Sequence, residues 1–176
     1  MPYVSCSSFR RSLALAAGLT SIALSANAGS LAAAFAHCDR ISDYPLARDL
    51  IKLVFTQPPW PQFEARYRKV ARTPTLKSAA AMPDNVATAS VELIKPPKVA
   101  GLTPVRMTAT TCTDGCGFAI WTLDFGRLAE RDVRRLKVWV DKAAPVAIDT
   151  EDQSYRPLSA FTGTDGVTRL ICDLSS

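Results

Sequence analysis

The placement of the cysteines is the strongest constraint on how this 176-residue chain can fold. Cys112 and Cys116 enclose only three residues, whereas Cys38 and Cys172 lie far apart in the sequence. Disulfide bonds form and persist in oxidising compartments and are rare in the cytosol. Whether these cysteines are cross-linked therefore depends on where the chain folds, and the N-terminal residues bear on that question.

The N-terminal residues are typical of a cleaved export signal. Two arginines precede an uncharged apolar run over residues 13–24, and an Ala-x-Ala motif ends at Ala28. A membrane span needs about 20 apolar residues, more than this run provides. The pattern predicts a signal peptide over residues 1–28, followed by a single domain over residues 29–176 that folds in the periplasm or outside the cell.

The charge of the exported part limits its partners. Cleavage removes two of the 21 basic residues and none of the 16 acidic ones, which leaves a net charge of +3. This excess is too small to indicate nucleic-acid binding. We expect neither a nucleic-acid partner nor an integral membrane protein. Since 48% of the residues are hydrophobic, the chain is also too apolar for a disordered one.

Four cysteines remain after cleavage, and an even number in an exported chain predicts two disulfides. A three-residue loop with Gly115 in last place is typical of a β-hairpin whose glycine is left-handed. Such a loop places Cys112 and Cys116 opposite each other, about 4.5 to 5.5 Å apart, within the range that a disulfide tolerates. Cys38 and Cys172 then pair by elimination.

The two predicted bridges differ in their effect. A cross-link over about 135 residues restrains the unfolded chain by nearly 5 kcal/mol, whereas one that closes a five-residue ring restrains it by about 2 kcal/mol. The long bridge therefore stabilises the fold, and the short one mainly stiffens the hairpin tip. A stiff tip loses little entropy when it binds a partner. The alternative is that the short bridge is a clasp with no role in binding.

Helical spacing of apolar residues predicts two N-terminal helices. The first covers residues 42–55, and the second begins after Trp60. The buried face of the second helix is predicted to contain Phe63, Tyr67, Val70 and Ala71. Its other face contains Glu64, Arg66, Arg68, Lys69 and Arg72. This basic face is either simply solvated or attracts an acidic partner. Residues 73–85 show no period and are predicted to be a connector.

From residue 86 onward the apolar period changes to two, which predicts strands. A strand ends before Pro96, a second leads into the cysteine loop, and a nearly apolar return arm over residues 117–125 is expected at the centre of the sheet. Residues 136–141 are predicted to be a further strand. A last hairpin joins residues 155–161 to 167–174. The fold class is therefore α+β, with the two helices packed on an antiparallel sheet of about five to seven strands.

Motifs for catalysis and for cofactors are missing. The only histidine is His37, which lies next to Cys38 near the predicted mature N-terminus, a poor position for the base of a Ser-His-Asp or Cys-His site. A metal site would need thiols that export oxidises. We therefore expect no enzyme, no cofactor and no metal. Trp60, among three prolines, is either a core residue or an exposed secondary contact for a partner.

The stretch from Val105 to Phe125 resembles the central hairpin of the periplasmic inhibitors of vertebrate lysozyme. The resemblance covers about 20 residues and rests on an alternating strand, the cysteine-closed tip, Gly117 directly after it, and a tryptophan in the return strand. In that family the stiffened loop enters the cleft of a muramidase and blocks it. The resemblance implies the same use for Thr113, Asp114 and Gly115. The loop here is one residue shorter and lacks the family's inhibitory histidine, which leaves Asp114 as the only strong polar group at the tip.

The sequence thus favours an exported binding protein that blocks a cell-wall-degrading enzyme. Its partner is expected to be a peptidoglycan hydrolase or a secreted toxin, and periplasmic immunity proteins of similar size and cysteine content fit equally well. An alternative is an envelope enzyme or ligand carrier with a pocket of facing carboxylates. The candidate carboxylates are Asp114, Asp124, Glu130, Asp132, Asp149, Glu151 and Asp152. A third alternative is an envelope assembly component that uses an exposed apolar patch around Trp60.

Overall fold

The structure is a computed structural model. It describes residues 30–77, 85–113, 117–143, 148–150, 153–155 and 157–174. The predicted signal peptide and its cleavage site lie outside the described residues. So do Asp114, Gly115 and Cys116 at the tip of the cysteine hairpin.

The described residues form both helices and strands. The helices are α1 (Leu31–Ala36), a 3-10 helix (Cys38–Asp43), α2 (Pro45–Leu53), α3 (Pro61–Tyr67) and α4 (Glu130–Ala143). The strands are β1 (Thr75–Lys77), β2 (Val86–Glu92), β3 (Arg106–Cys112), β4 (Ala119–Asp124), β5 (Ile148–Thr150), β6 (Gln153–Tyr155), β7 (Leu158–Thr162) and β8 (Thr168–Asp173).

Six of these strands form one antiparallel sheet in the order β1-β2-β3-β4-β8-β7, and β5 pairs separately with β6. The predicted α+β class is confirmed, and the six strands of the main sheet fall within the expected five to seven. β4 lies between β3 and β8, which confirms that the apolar return arm is a central strand. Such a strand is buried more than an edge strand and so needs more apolar residues.

One face of the main sheet forms the hydrophobic core. A row of paired residues across five strands is buried on this face and consists of Ala89, Ala109, Trp121, Cys172 and Leu158. The indole Nε1 of Trp121 donates a hydrogen bond to the carbonyl oxygen of Ala47 in α2 at 3.1 Å. This bond places α2 over the centre of the sheet. The residues that alternate with these along each strand face away from the helices and are mostly polar.

Both predicted N-terminal helices form, but with different ends. α2 begins at Pro45 because the preceding residues form the 3-10 helix, so the expected start at residue 42 is wrong. α3 ends at Tyr67, and the expected continuation through Val70 is also wrong. Val70 is exposed, and Ala71 instead pairs with Leu93 beside β2. The chain leaves the helix there to extend along the sheet edge.

Residues 136–141 belong to α4, so the predicted strand is wrong. Leu136 and Val140 are buried, and Trp139 and Ala143 pack against the same core, which is helical spacing. Val138, which a strand would place beside Leu136, is 51% exposed. The helix packs against β7. Its ion pairs, Glu130 with Arg134 and Asp132 with Arg135, also have helical spacing.

Two further expectations need correction. The stretch predicted to be a connector contains β1, an edge strand that pairs with β2. In the last hairpin, Tyr155 pairs with Ile148 rather than with β8, and the hairpin strand begins at Leu158. Of the two glycines in its turn, Gly166 has a positive φ, at 76°. The turn therefore needs left-handed backbone at one glycine position only.

One complete disulfide lies within the described residues, and it joins Cys38 to Cys172 as predicted. Their Cα atoms are 5.5 Å apart across a sequence separation of 134. Both residues are fully buried. The bridge holds the 3-10 helix against β8. The predicted second disulfide requires Cys116, which lies outside the described residues, so that pairing stays a prediction.

Candidate functional site

The closed end of the β3–β4 hairpin is the candidate binding site. On the β3 arm, the buried hydroxyl of Thr111 donates to the carbonyl oxygen of Phe118 on the return arm at 2.7 Å. One residue beyond the end of β3, Thr113 donates twice to the carbonyl oxygen of Asn85, from its backbone N–H at 2.8 Å and from its hydroxyl at 3.0 Å. The hairpin end is thus bonded across its own arms and to the chain that enters β2.

The hairpin is supported on both sides by neighbouring strands. β2 pairs with β3 as far as the register Val86 opposite Cys112, and β8 pairs with β4. Beyond β8, the backbone N–H of Leu174 donates to the carbonyl oxygen of Ala119 at 2.9 Å. The strand pairing therefore extends to the residues that carry the loop. Backbone held in such a ladder has little freedom left to lose on binding.

The predicted loop residues are placed only in part. Thr113 is exposed, Cys112 is buried, and Gly117 is exposed with a φ of 79°. Asp114 and Gly115 lie outside the described residues, so their role in binding remains a prediction. The left-handed backbone expected of Gly115 is likewise untested. The structure adds the hydrogen bonds at the base of the loop. The sequence shows that Thr111 and Thr113 are present, but it does not show which carbonyl groups accept their hydrogen bonds.

Trp60 is not a surface contact. Its side chain is 8% exposed, and its indole Nε1 donates to the carbonyl oxygen of Thr56 at 3.2 Å. The residue belongs to the core between α2 and α3. Of the two alternatives for Trp60, the core residue is confirmed and the exposed secondary contact is wrong, because packing covers the ring. The third alternative, an assembly component with an apolar patch around Trp60, loses the tryptophan itself, whereas Pro58, Pro59 and Pro61 beside it are exposed.

A polar network joins α2 to α3 beside that core. The carboxylate of Asp49 accepts hydrogen bonds from the Tyr67 hydroxyl at 2.7 Å and from Arg66 at 2.9 Å. Burial raises the pKa of Tyr67 well above its usual range, and the hydrogen bond to Asp49 raises it further. The phenol remains protonated and donates to the carboxylate. This network aligns the two helices and shows no arrangement suited to catalysis.

A row of charged residues crosses the polar face of the sheet, away from the helices. Four charged residues are paired in this row, and Phe161 lies at its end: Glu92, Arg106, Asp124, Arg169 and Phe161. Arg169 lies 3.3 Å from the carboxylate of Asp124 and stands over the ring of Phe161 at 6.0 Å. Burial raises the pKa of Asp124, although Arg169 and Arg106 act in the opposite direction. The charges alternate along the row and largely offset one another.

The predicted carboxylates do not form a facing pair where the structure describes them. Asp124 faces Arg169, Glu130 pairs with Arg134, and Asp132 pairs with Arg135. The side chains of Asp114, Asp149, Glu151 and Asp152 lie outside the description. Among the described residues, no group of three or more His, Cys, Asp or Glu side chains could hold a metal ion.

A groove of about 830 Å³ opens between α3 and the strands at the β1 end of the sheet, and Glu92 and Arg106 of the charged row contribute to its lining. Arg68, Arg72, Lys77 and Arg106 supply four cations to its lining, and Glu64 and Glu92 supply two carboxylates. Arg68 and Arg72 belong to the basic face that the sequence predicted. Lys77 and Arg106 were missed, because only strand pairing brings them to the same groove.

Comparison with known protein families, with curated proteins and with solved structures finds no match for this chain. The fold and the site therefore define the class of protein by themselves. It is an α+β protein with one helix-covered sheet face and a disulfide between its first helical region and its last strand. In the part of the chain that the structure describes, none of the helices is both long and apolar enough to cross a membrane.

Proposed function

We propose that this chain is an exported binding protein, an inhibitor or immunity protein that blocks a cell-wall-degrading enzyme with the end of its β3–β4 hairpin. The observation that carries the proposal is the double anchoring of the loop. Thr111 bonds the two arms together, and Thr113 bonds the end of β3 to Asn85. Thr113 and Gly117, which flank the tip, are exposed, and a tip on so rigid a base would be suited to insertion into a cleft.

The energetic argument concerns entropy. A mobile loop that becomes ordered on binding loses about 0.5 to 1.5 kcal/mol for each side chain that is immobilised, in addition to the backbone loss. Here the arms are held by strands on both sides before any partner binds. A bridge between Cys112 and Cys116 would extend this order to the tip. The tip would then present Asp114 to the partner in a preformed turn.

The proposed location rests on the N-terminal pattern and the disulfide. The apolar run over residues 13–24 resembles an export signal, and a disulfide between Cys38 and Cys172 needs an oxidising compartment to persist. Cell fractionation tests the location. Leu19→Arg, which interrupts the apolar run, should retain the protein in the cytoplasm. Release of this variant into the periplasm at the wild-type level would contradict the proposal.

Partner capture from envelope extracts tests the function. Wild-type protein should retain a peptidoglycan hydrolase and inhibit its release of soluble fragments from cell walls, and Asp114→Arg should weaken both effects at least tenfold. Asp39→Arg is the matched control, because it makes the same change of charge at an exposed site of the 3-10 helix, outside the hairpin. If Asp114→Arg captures and inhibits as well as the control does, the hairpin tip is not the binding site.

A further inference from the structure

The groove between α3 and the β1 edge has a charge that its own residues do not neutralise. Glu92 already has two cationic neighbours, Arg72 at 3.3 Å and Arg106 at 3.9 Å. Arg68 and Lys77 form no ion pair with any other described residue. With Glu64 as the remaining acid, the lining has two more positive than negative charges. An anionic ligand would complement this lining.

The cations are spread along the groove rather than clustered. Arg72 and Lys77 are five residues apart on chain that runs along β2, from the pair of Ala71 with Leu93 to the pair of Lys77 with Thr88. At about 3.3 Å per residue in a strand, this separation is about 16 Å. A single small anion cannot contact both ends. The distribution favours an elongated ligand with several negative charges.

The groove extends over side chains of β1, β2 and β3 and thus reaches the outer strand of the sheet. Within the described residues, β1 pairs with β2 alone and is therefore an outer strand of the sheet. An outer strand presents backbone N–H and C=O groups that can bond to another extended chain. The hydroxyl groups of Thr75 and Ser90, which are paired in register, line the same groove. A peptide backbone matches these donors and acceptors better than a sugar chain does.

We propose that this groove binds an extended acidic peptide, a segment of a protein partner with carboxylates at alternate positions. The peptide pairs with the β1 edge, and its carboxylates contact Arg68 and Lys77 and compete with Glu92 for Arg72. This interaction is separate from the hairpin tip. β1 and the hairpin tip are divided by β2. The end of the groove at Glu92 and Arg106 is opposite to the hairpin loop, whereas Lys77 lies level with Thr110, two residues before Cys112.

Fluorescence anisotropy with a labelled peptide of alternating glutamate and valine tests the proposal on the purified, disulfide-bonded protein. Arg68→Glu combined with Lys77→Glu should weaken binding at least tenfold. Lys98→Glu combined with Lys137→Glu is the matched control, since it changes the net charge equally at exposed sites outside the groove. The control should weaken binding less than threefold. Circular dichroism of each variant verifies that the fold is retained.

Three results would overturn the proposal. One is undetectable binding of the peptide at millimolar protein, and another is equal weakening by the groove and control variants, which would indicate attraction by net charge. The third is undiminished binding of a peptide methylated on consecutive backbone nitrogens, because that peptide has no free N–H group on either edge to donate to β1. A sulfated oligosaccharide serves as the competing ligand class. If it binds through Arg68 and Lys77 and the peptide does not, the ligand is a glycan. Asp114→Arg should change peptide binding by less than threefold, within the range set by the control, which separates this test from that of the hairpin.

Discussion

Cys38 in the first helical region and Cys172 in the last strand of the sheet are joined by a disulfide across 134 residues of sequence. Both cysteines are fully buried, and Cys172 pairs with Trp121 and Leu158 in the row at the centre of the core. The covalent link therefore connects two parts of the chain that hydrophobic packing also holds together. Its contribution arises mainly from restriction of the unfolded chain.

Loss of this link should be strongly destabilising. In the loop-entropy relation a cross-link over this length contributes about 5 kcal/mol, so Cys38→Ala combined with Cys172→Ala should lower the free energy of unfolding by about that amount. Urea denaturation followed by circular dichroism measures the change. Reducing agent should destabilise the wild type and have little further effect on the variant. A wild type and variant of equal stability would show that the bridge is not formed in the folded protein.

The helical assignment of α4 predicts that substitutions at two nearby positions change the free energy of unfolding by very different amounts. Leu136 is fully buried and Val138 is 51% exposed. Leu136→Ala should lower the free energy of unfolding by about 2 to 4 kcal/mol through lost packing, whereas Val138→Ala should change it by less than about 0.5 kcal/mol. A strand would place both side chains on one face. Similar destabilisation by the two substitutions in urea denaturation would therefore contradict the helix.

Arg169 controls two carboxyl groups in different environments. Hydrogen bonding by its guanidinium lowers the pKa of Asp165 from 3.8 to about 2, whereas burial raises that of Asp124 despite the same arginine. Arg169→Gln should raise the pKa of Asp165 toward its ordinary value and raise that of Asp124 further. Carbon-13 NMR titration of the carboxyl groups measures both values. Arg131→Gln, on the exposed surface of α4, should leave both unchanged.

The two carboxyl groups also make opposite contributions to acid stability. The pKa of Asp165 is lower in the folded than in the unfolded protein, so its stabilising effect is complete above pH 3.8 and is lost as the pH falls to about 2. The raised pKa of Asp124 means that its protonation on acidification favours the folded state. Arg169→Gln should therefore reduce the loss of stability below pH 4. A steeper loss in the variant would contradict this assignment.

The hydrogen bond between Tyr67 and Asp49 should contribute to stability at neutral pH. Tyr67→Phe removes a donor to a charged acceptor and should lower the free energy of unfolding by about 1.5 kcal/mol. Because the pKa of Tyr67 is raised in the folded protein, stability should decline as the pH rises above 10 and the unfolded tyrosine ionises. The variant should lack that part of the decline in urea denaturation at pH 7 and at pH 10.5. An unchanged alkaline decline would show that Tyr67 is not its source.

Much of the fold could be predicted from local patterns. Alternation at Ala87, Ala89 and Val91 indicated β2 and the face that it buries. The apolar return arm indicated a central strand, and the long disulfide followed by elimination once the hairpin loop had been taken to pair Cys112 with Cys116. At residues 136–141 the local pattern was ambiguous, because Leu136 and Val140 satisfy both a period of two and a helical spacing. The exposure of Val138 and the packing of Trp139 and Ala143 against the core distinguish the helix.

The sequence by itself determined which residues are apolar, which cysteines could pair, and where strand alternation begins. Tertiary structure alone decided that Trp60 is covered, that residues 75–77 become an edge strand, and that Lys77 and Arg106 line one groove. The physical reason is the range of each interaction. Periodicity records which side chains share a face of one helix or strand, whereas burial and charge clustering depend on how elements distant in sequence pack together.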